Sequence, residues 1–437
     1  MKLRPFELGL VIVFGSLFLI ALVLLRTHDS DTCVEEGTCA DIGGSVTIWG
    51  TFPVSSIDPL LTEISEKDDS FKGVSYFYIP ADDFDQAFLN ALADQKPPDV
   101  ILMSHEKMIE HRNRLQSVSY EDYPIRDFRS RYVDGAEIFA LNDGIYAFPV
   151  MVDPLMMFWN RDLFSDQGLL NAPKTWEDLV GKYAPALTVR DFNRNIERSA
   201  VAMGGYGNIK NAFPVISMLL MQSDSAFVRE EDGNKYRIIM DSDNNGDNGV
   251  FGKTLEFYNS FSSVNNSLYS WNKSMSLDRD SFLSEDLAIY FGLGSEGKDL
   301  EIKNPNLSFD ISEIPQNLNG GNKRTYGNFY GFFVPKTAKN KNGAFKVIQI
   351  LTSDTNAKKI ANNLNMAPVS RDLVTAGSND VYGRIIYQSV PNARGWLNPD
   401  IDRLNDIMDE EITDVGANRQ SSSNAASDIL VRLGQIY

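Results

Sequence analysis

Cysteine, histidine and basic charge are all scarce in this chain of 437 residues, which has two cysteines, three histidines, and 41 lysines and arginines against 59 acidic residues. Two cysteines cannot build a disulfide scaffold. Three dispersed histidines, His28, His105 and His111, supply no cluster for a metal centre or an activated nucleophile. The formal net charge of -18 repels nucleic acid and anionic lipid, so no nucleic-acid partner is expected. There is no internal repeat of solenoid period, and nothing calls for a cofactor.

Long hydrophobic runs are lacking too, with one exception. Residues 8–25 carry no charge and approach the length of a membrane-spanning helix. Lys2 and Arg4 lie before the run, whereas Arg26 is followed by Asp29, Asp31, Glu35 and Glu36, which keeps the basic side cytoplasmic and sends the rest outward. A cleaved signal peptide is the rival reading, but the run is long for one and no small-x-small site follows directly. The expected layout is a cytoplasmic N-terminus over 1–7, a single-pass anchor over 8–25 and an extracellular or periplasmic tether over 26–44, whose extended reach is about 60 Å. Cys33 and Cys39 fall in the tether, either bridged locally or as free thiols. The polar Asp31-Thr32 before Cys33 does not suit a lipid-bearing cysteine.

What is present is an ordinary globular composition, 43% hydrophobic and 23% charged, on a chain too long for one core, so two lobes are expected. From residue 45, apolar runs at 46–49, 74–79 and 100–103 alternate with amphipathic stretches at 57–67 and 84–93, a βαβαβ pattern. Right-handed crossovers make such a sheet parallel, and ligands bind beyond its strand C-termini, here at Gly50, Pro80 and Ser104. Two further apolar strands flank Asp153-Pro154, where the proline predicts a break in pairing and a crossing between lobes. Thr175 is the expected N-cap of a helix starting at Trp176. Helical patterning returns at 344–352, 355–363, 401–413 and 425–433.

Four segments resemble the extracellular solute-binding proteins of family 1, the maltodextrin-binding type that feeds ABC transporters. They are VTIWGTF at 46–52, KPPDVI at 96–101 (without the family's leading glycine), YAFPVMVDPLMMFWNRDLFSDQGLLNAPKTWEDL at 146–179, and the tail from Met408 to Tyr437. Together they span nearly everything after residue 44. The resemblance implies an α/β, two-lobed type II periplasmic-binding-protein fold, with one lobe over 45–150 and 332–372 and the other over 151–331 and 373–437. It also implies a non-enzymatic, monomeric receptor that closes around a sugar or oligosaccharide and delivers it to an ABC transporter permease. A membrane-anchored carbohydrate-active enzyme and a sensory protein on the same fold are the alternatives.

Candidate ligand residues combine aromatic faces for a sugar's C–H surface with polar groups for its hydroxyls: Trp49, Thr51, Phe52, Asp82 (or Asp83), Ser104, Asp153, Tyr206, Gly292, Tyr326, Asn328, Arg394 and Trp396. Aromatics are more often core than platform, yet Trp49, at a strand end, and Trp396, in an irregular loop, each adjoin a glycine, Gly50 and Gly395. Trp176 is expected to pack in the core. Asp241–Asp247 resembles the start of a calcium loop, but Gly252 stands where a bidentate glutamate belongs, and a plain polar loop is the simpler reading. His105 and His111 are six positions apart, not the one helical turn of a zinc motif, so no metal is expected.

Overall fold

The computed structural model describes residues 42–223, 228–231, 235–239, 249–318 and 320–437. The anchor at 8–25, most of the tether, Cys33, Cys39 and the acidic loop 241–247 lie outside the described residues. Among the described residues, no helix is long and apolar enough to cross a membrane.

The βαβαβ unit forms as the alternation predicts. β1 (Val46–Gly50), β2 (Val74–Tyr78) and β3 (Val100–Ser104) are parallel in the order β2-β1-β3, joined by helices Val54–Lys67 and Ala81–Ala93. β1 is buried at every second residue, and β3 is buried along almost its whole length because helices cover both of its faces. Asp99 of the PPDV segment ties this unit together. One carboxylate oxygen accepts from Thr47 N at 3.0 Å, and the other accepts from Lys339 N and Asn340 N at 3.1 and 3.0 Å, at the entry to helix Lys341–Leu351.

The expected break at Asp153-Pro154 does not occur. Phe148–Asn160 is a single 13-residue crossing strand, almost entirely buried. It is continuous because Pro154 stands where its neighbours change. On the N-terminal side it pairs antiparallel with a returning strand, Thr325–Phe333, up to Gly327 opposite Pro154. From Leu155 opposite Leu293 onward it pairs with Leu287–Leu293, and Phe309–Ser312 takes its other edge. A residue without an N–H costs little at such a handover.

The crossing strand therefore belongs to both halves of an α/β molecule. Around its first part lie β1–β3 and the returning strand, which pairs with β3 from Tyr330–Ser104 to Phe333–Ile101. Around its second part lie Leu287–Leu293, the parallel strand Ile196–Val201, and helices Ala212–Gln222, Val250–Asn259, Ile401–Gly416 and Ser422–Leu433. Thr175 caps its helix as expected, accepting from Asp178 N at 3.1 Å. Trp176 is buried and donates its indole N–H to Gln222 Oε1 at 2.7 Å.

Candidate functional site

The loops after β1 and β3 leave the same C-terminal edge of the parallel unit and meet the returning strand, Thr325–Phe333. After β1 the chain turns through Thr51 and Phe52 into helix Val54–Lys67, and one hydroxyl holds that turn. Tyr76 Oη donates to Phe52 O at 2.7 Å and accepts from Phe52 N at 3.1 Å. The clamp requires glycine at 50, since a Cβ there would lie 2.6 Å from the same hydroxyl oxygen. It leaves the Phe52 ring half-buried against Tyr330 of the returning strand, with centroids 5.0 Å apart in an edge-to-face arrangement. Trp49 is half-buried at the end of β1, and Thr51 is half-buried in the turn.

After β3, Ser104 caps a short 3-10 turn, His105–Lys107, by accepting from Glu106 N at 3.1 Å. The same hydroxyl donates to Asn328 Oδ1 at 2.5 Å, which uses its one donor. Asn328 Nδ2 then donates to Glu106 Oε2 at 3.2 Å, while the Tyr326 hydroxyl donates to Glu106 Oε1. Burial and this carboxylate push the Tyr326 phenol well above the usual range, so it stays a donor. Glu106 was not among the residues expected from sequence. Its signal was its position at the C-terminal end of β3, two residues after Ser104, overshadowed by the zinc-like histidine spacing.

Opposite Asn328 in the strand register is Asp153. Its buried carboxylate accepts from Ser295 N at 3.0 Å and from Ser295 Oγ at 2.5 Å, which fixes the turn after Leu287–Leu293. Burial pushes Asp153 up from 3.8 to about 7, against the pull of the Ser295 hydrogen bonds. That turn is held from the other side by Glu296, which accepts from Leu293 N, Asn211 Nδ2, Tyr290 Oη and Lys210 Nζ at 2.7–3.0 Å. Burial alone would raise Glu296, but Lys210 and these donors hold it below its ordinary value.

Of the residues expected from sequence, the structure gathers Phe52, Ser104, Asp153, Tyr326 and Asn328 around Glu106 and Tyr330, with Trp49 and Thr51 at the same strand end. Tyr206 is buried and donates to Asn405 Oδ1 at 2.6 Å, within reach of the Glu106 charge. Gly292 is packed shut, since a Cβ would lie 2.5 Å from the Tyr290 ring. Asp82 is exposed in the first turn of helix Ala81–Ala93. Arg394 turns away to Asp134 at 3.2 Å. Trp396 is 3% exposed, lies with its ring 5.4 Å from that of Phe213 in a tilted arrangement, and donates its indole N–H to Tyr437 Oη at 2.8 Å. It is a packed residue because the C-terminal helix brings Tyr437 to it, a contact that sequence spacing does not reveal.

His105 is buried between Phe329 N at 3.2 Å and Trp396 N at 3.3 Å, and burial holds its pKa below the ordinary value, so it is a neutral packing group. Asp85, Glu110 and His111 bring three metal-type atoms together, but Lys107 Nζ lies 2.6 Å from Asp85 and supplies the positive charge there. The site thus offers hydrogen-bond acceptors, hydroxyls and aromatic faces, the chemistry of reversible binding to a hydroxyl-rich solute.

The fold is shared with solved binding proteins. A cyclo/maltodextrin-binding protein complexed with maltotetraose superposes with a TM-score of 0.71 at 14% identity, over 92% of this chain and 98% of that one. An ABC substrate-binding protein from Listeria monocytogenes in complex with cycloalternan gives 0.65 at 15% identity, over 90% and 98%. The maltose/maltodextrin-binding domain from Bdellovibrio bacteriovorus bound to maltotriose gives 0.64 at 14% identity, over 90% and 99%. No curated protein sequence matches the chain. The family model of bacterial extracellular solute-binding proteins matches residues 72–358, about two thirds of the sequence, and with the crossing-strand fold this places the chain in that family.

Proposed function

We propose that the protein is a non-catalytic receptor for a sugar or oligosaccharide, which its two lobes enclose before it passes to an ABC transporter permease. The observation that carries this reading is the Glu106 cluster. A carboxylate, a serine, an asparagine and a tyrosine are linked by hydrogen bonds where the parallel unit meets the returning strand, beside the Phe52 and Tyr330 rings. Such groups pair with hydroxyls of a matching ligand and reject one that leaves them unpaired. The ligand-facing set is then Trp49, Thr51, Phe52, Ser104, Glu106, Asp153, Tyr206, Tyr326 and Asn328. Closure follows from contact with both lobes, since a ligand shifts an open–closed equilibrium only through its differential affinity. The same reading takes 45–150 with 332–372 and 151–331 with 373–437 as the lobes, a monomer as the working unit, and the run at 8–25 as a single-pass anchor that keeps the body outside near its permease.

A thermal-shift screen with maltotetraose, cycloalternan and smaller sugars tests the reading. A ligand at about a hundred times its Kd stabilises by roughly 2.7 kcal/mol. No shift from any carbohydrate would defeat the sugar assignment, and release of shortened oligosaccharides on incubation would replace the receptor by an enzyme.

A further inference from the structure

Between helices Ala212–Gln222 and Val250–Asn259 of the second lobe, the chain forms two antiparallel strands, Val228–Glu231 and Lys235–Ile238. Their register sets Glu230 directly opposite Tyr236, so both side chains leave the same face. That face meets Arg112, which comes from the first lobe just after β3. The Arg112 guanidinium lies 2.7 Å from Glu230 Oε1, donates to Tyr236 Oη, and stands 5.7 Å from the centre of the Tyr236 ring. Glu230 Oε2 accepts in addition from Asn142 N, also of the first lobe, at 2.8 Å. Val228 extends the contact, lining a cavity of about 230 Å³ with Gly135, Ile138 and Trp396.

We propose that these two strands are a strap that latches the second lobe onto the first, with Arg112 as the catch. The side chains of Arg112 and Glu230 are 4% and 9% exposed, so the pair is largely hidden from water and salt. The Lys107–Asp402 pair also links the lobes, at 3.2 Å, but Asp402 is 81% exposed and contributes far less. The strap can open without stranding a buried charge. On its own lobe Arg112 keeps Asp143 at 2.7 Å and the Tyr146 hydroxyl at 3.1 Å, and Tyr146 in turn donates to Asp143 at 2.7 Å. Arg112 therefore has a complete set of partners when latched and a sufficient set when released, which suits a reversible contact. The inference rests on the two-lobed fold and not on what the cleft holds.

Spin labels at Leu89→Cys and Val264→Cys, exposed on the first and second lobes, report the inter-lobe distance in the full chain carrying Cys33→Ser and Cys39→Ser, with no ligand added. Glu230→Gln with Tyr236→Phe is expected to broaden the distance distribution, while Asp143→Asn, which removes only a same-lobe partner, leaves it in place. Should the double variant unfold, Tyr236→Phe alone gives a smaller broadening. An unchanged distribution in a folded strap variant overturns the latch. So does an equal change from Asp143→Asn, which would make Arg112 a packing residue of the first lobe. Loss of sugar binding bears on the proposed function and not on this result.

Discussion

Asp153 and Ser295 tie the turn after Leu287–Leu293 to the crossing strand, with one buried carboxylate accepting both the backbone N–H and the hydroxyl of a single serine, at 3.0 and 2.5 Å. Asp153 sits in the crossing strand, and Ser295 ends the turn that follows the next strand of the second lobe, so the pair fixes the turn against the strand.

This pair sets a pH dependence. Folding raises the Asp153 pKa from 3.8 to about 7, and burial raises Asp278 likewise to about 7. The folded state thus binds these protons more tightly, and the stabilisation is complete below the ordinary carboxylate pKa and lost as pH rises through about 7. At roughly 1.4 kcal/mol per tenfold change in proton affinity, each contributes on the order of 4 kcal/mol at most. Glu296, held below its ordinary value, contributes with the opposite sign and only below that range. The melting temperature should fall from about pH 5 to about pH 8, and Asp153→Asn should flatten the slope in a pH-resolved thermal melt. A variant slope equal to the parent's would show that Asp153 does not titrate in this window.

Glu106→Gln keeps the shape of the cluster but removes its charge. Hydrogen bonds to a charged group are worth about 1.5–3 kcal/mol, so maltotetraose affinity measured by calorimetry should drop by about 10- to 100-fold. The melting temperature should move little, because Glu106 is only half-buried. Unchanged affinity would remove Glu106 from the site.

Tyr76→Phe deletes the hydroxyl that clamps Phe52 at both its N–H and its carbonyl. Hydrogen exchange at the Phe52 amide should accelerate, with a stability loss of about 1 kcal/mol. Gly50→Ala should be worse, about 1–3 kcal/mol in denaturant unfolding, since its Cβ would lie 2.6 Å from that hydroxyl and Tyr76 is itself buried. If Gly50→Ala is as stable as the parent, the clamp is not rigid.

Trp396→Ala empties a packed position and leaves the Tyr437 hydroxyl without its donor. The expected loss is about 3–5 kcal/mol in urea unfolding. Trp396→Phe should recover much of it. A parent-like midpoint for Trp396→Ala would return the ring to the role of a ligand wall.

Much of this protein was legible in its residues. Alternating apolar and amphipathic stretches specify the parallel unit, and parallel strands place their C-terminal loops on one edge, so the loops beginning at Gly50, Pro80 and Ser104 could be named as cleft candidates from order alone. Local chemistry was readable for the same reason, as with the Thr175 cap, which depends only on its neighbours three residues away. Contacts made across long separations were not. Pro154 predicts a break when read locally, yet the strand continues because its neighbours exchange at that residue. Glu106 joins its hydrogen-bonded cluster through Tyr326 and Asn328, more than two hundred residues later, and Trp396 is buried by Tyr437 at the other end of a helical pair. Periodicity reports which face of an element is buried, but the partner on that face is chosen by the packing of the whole chain.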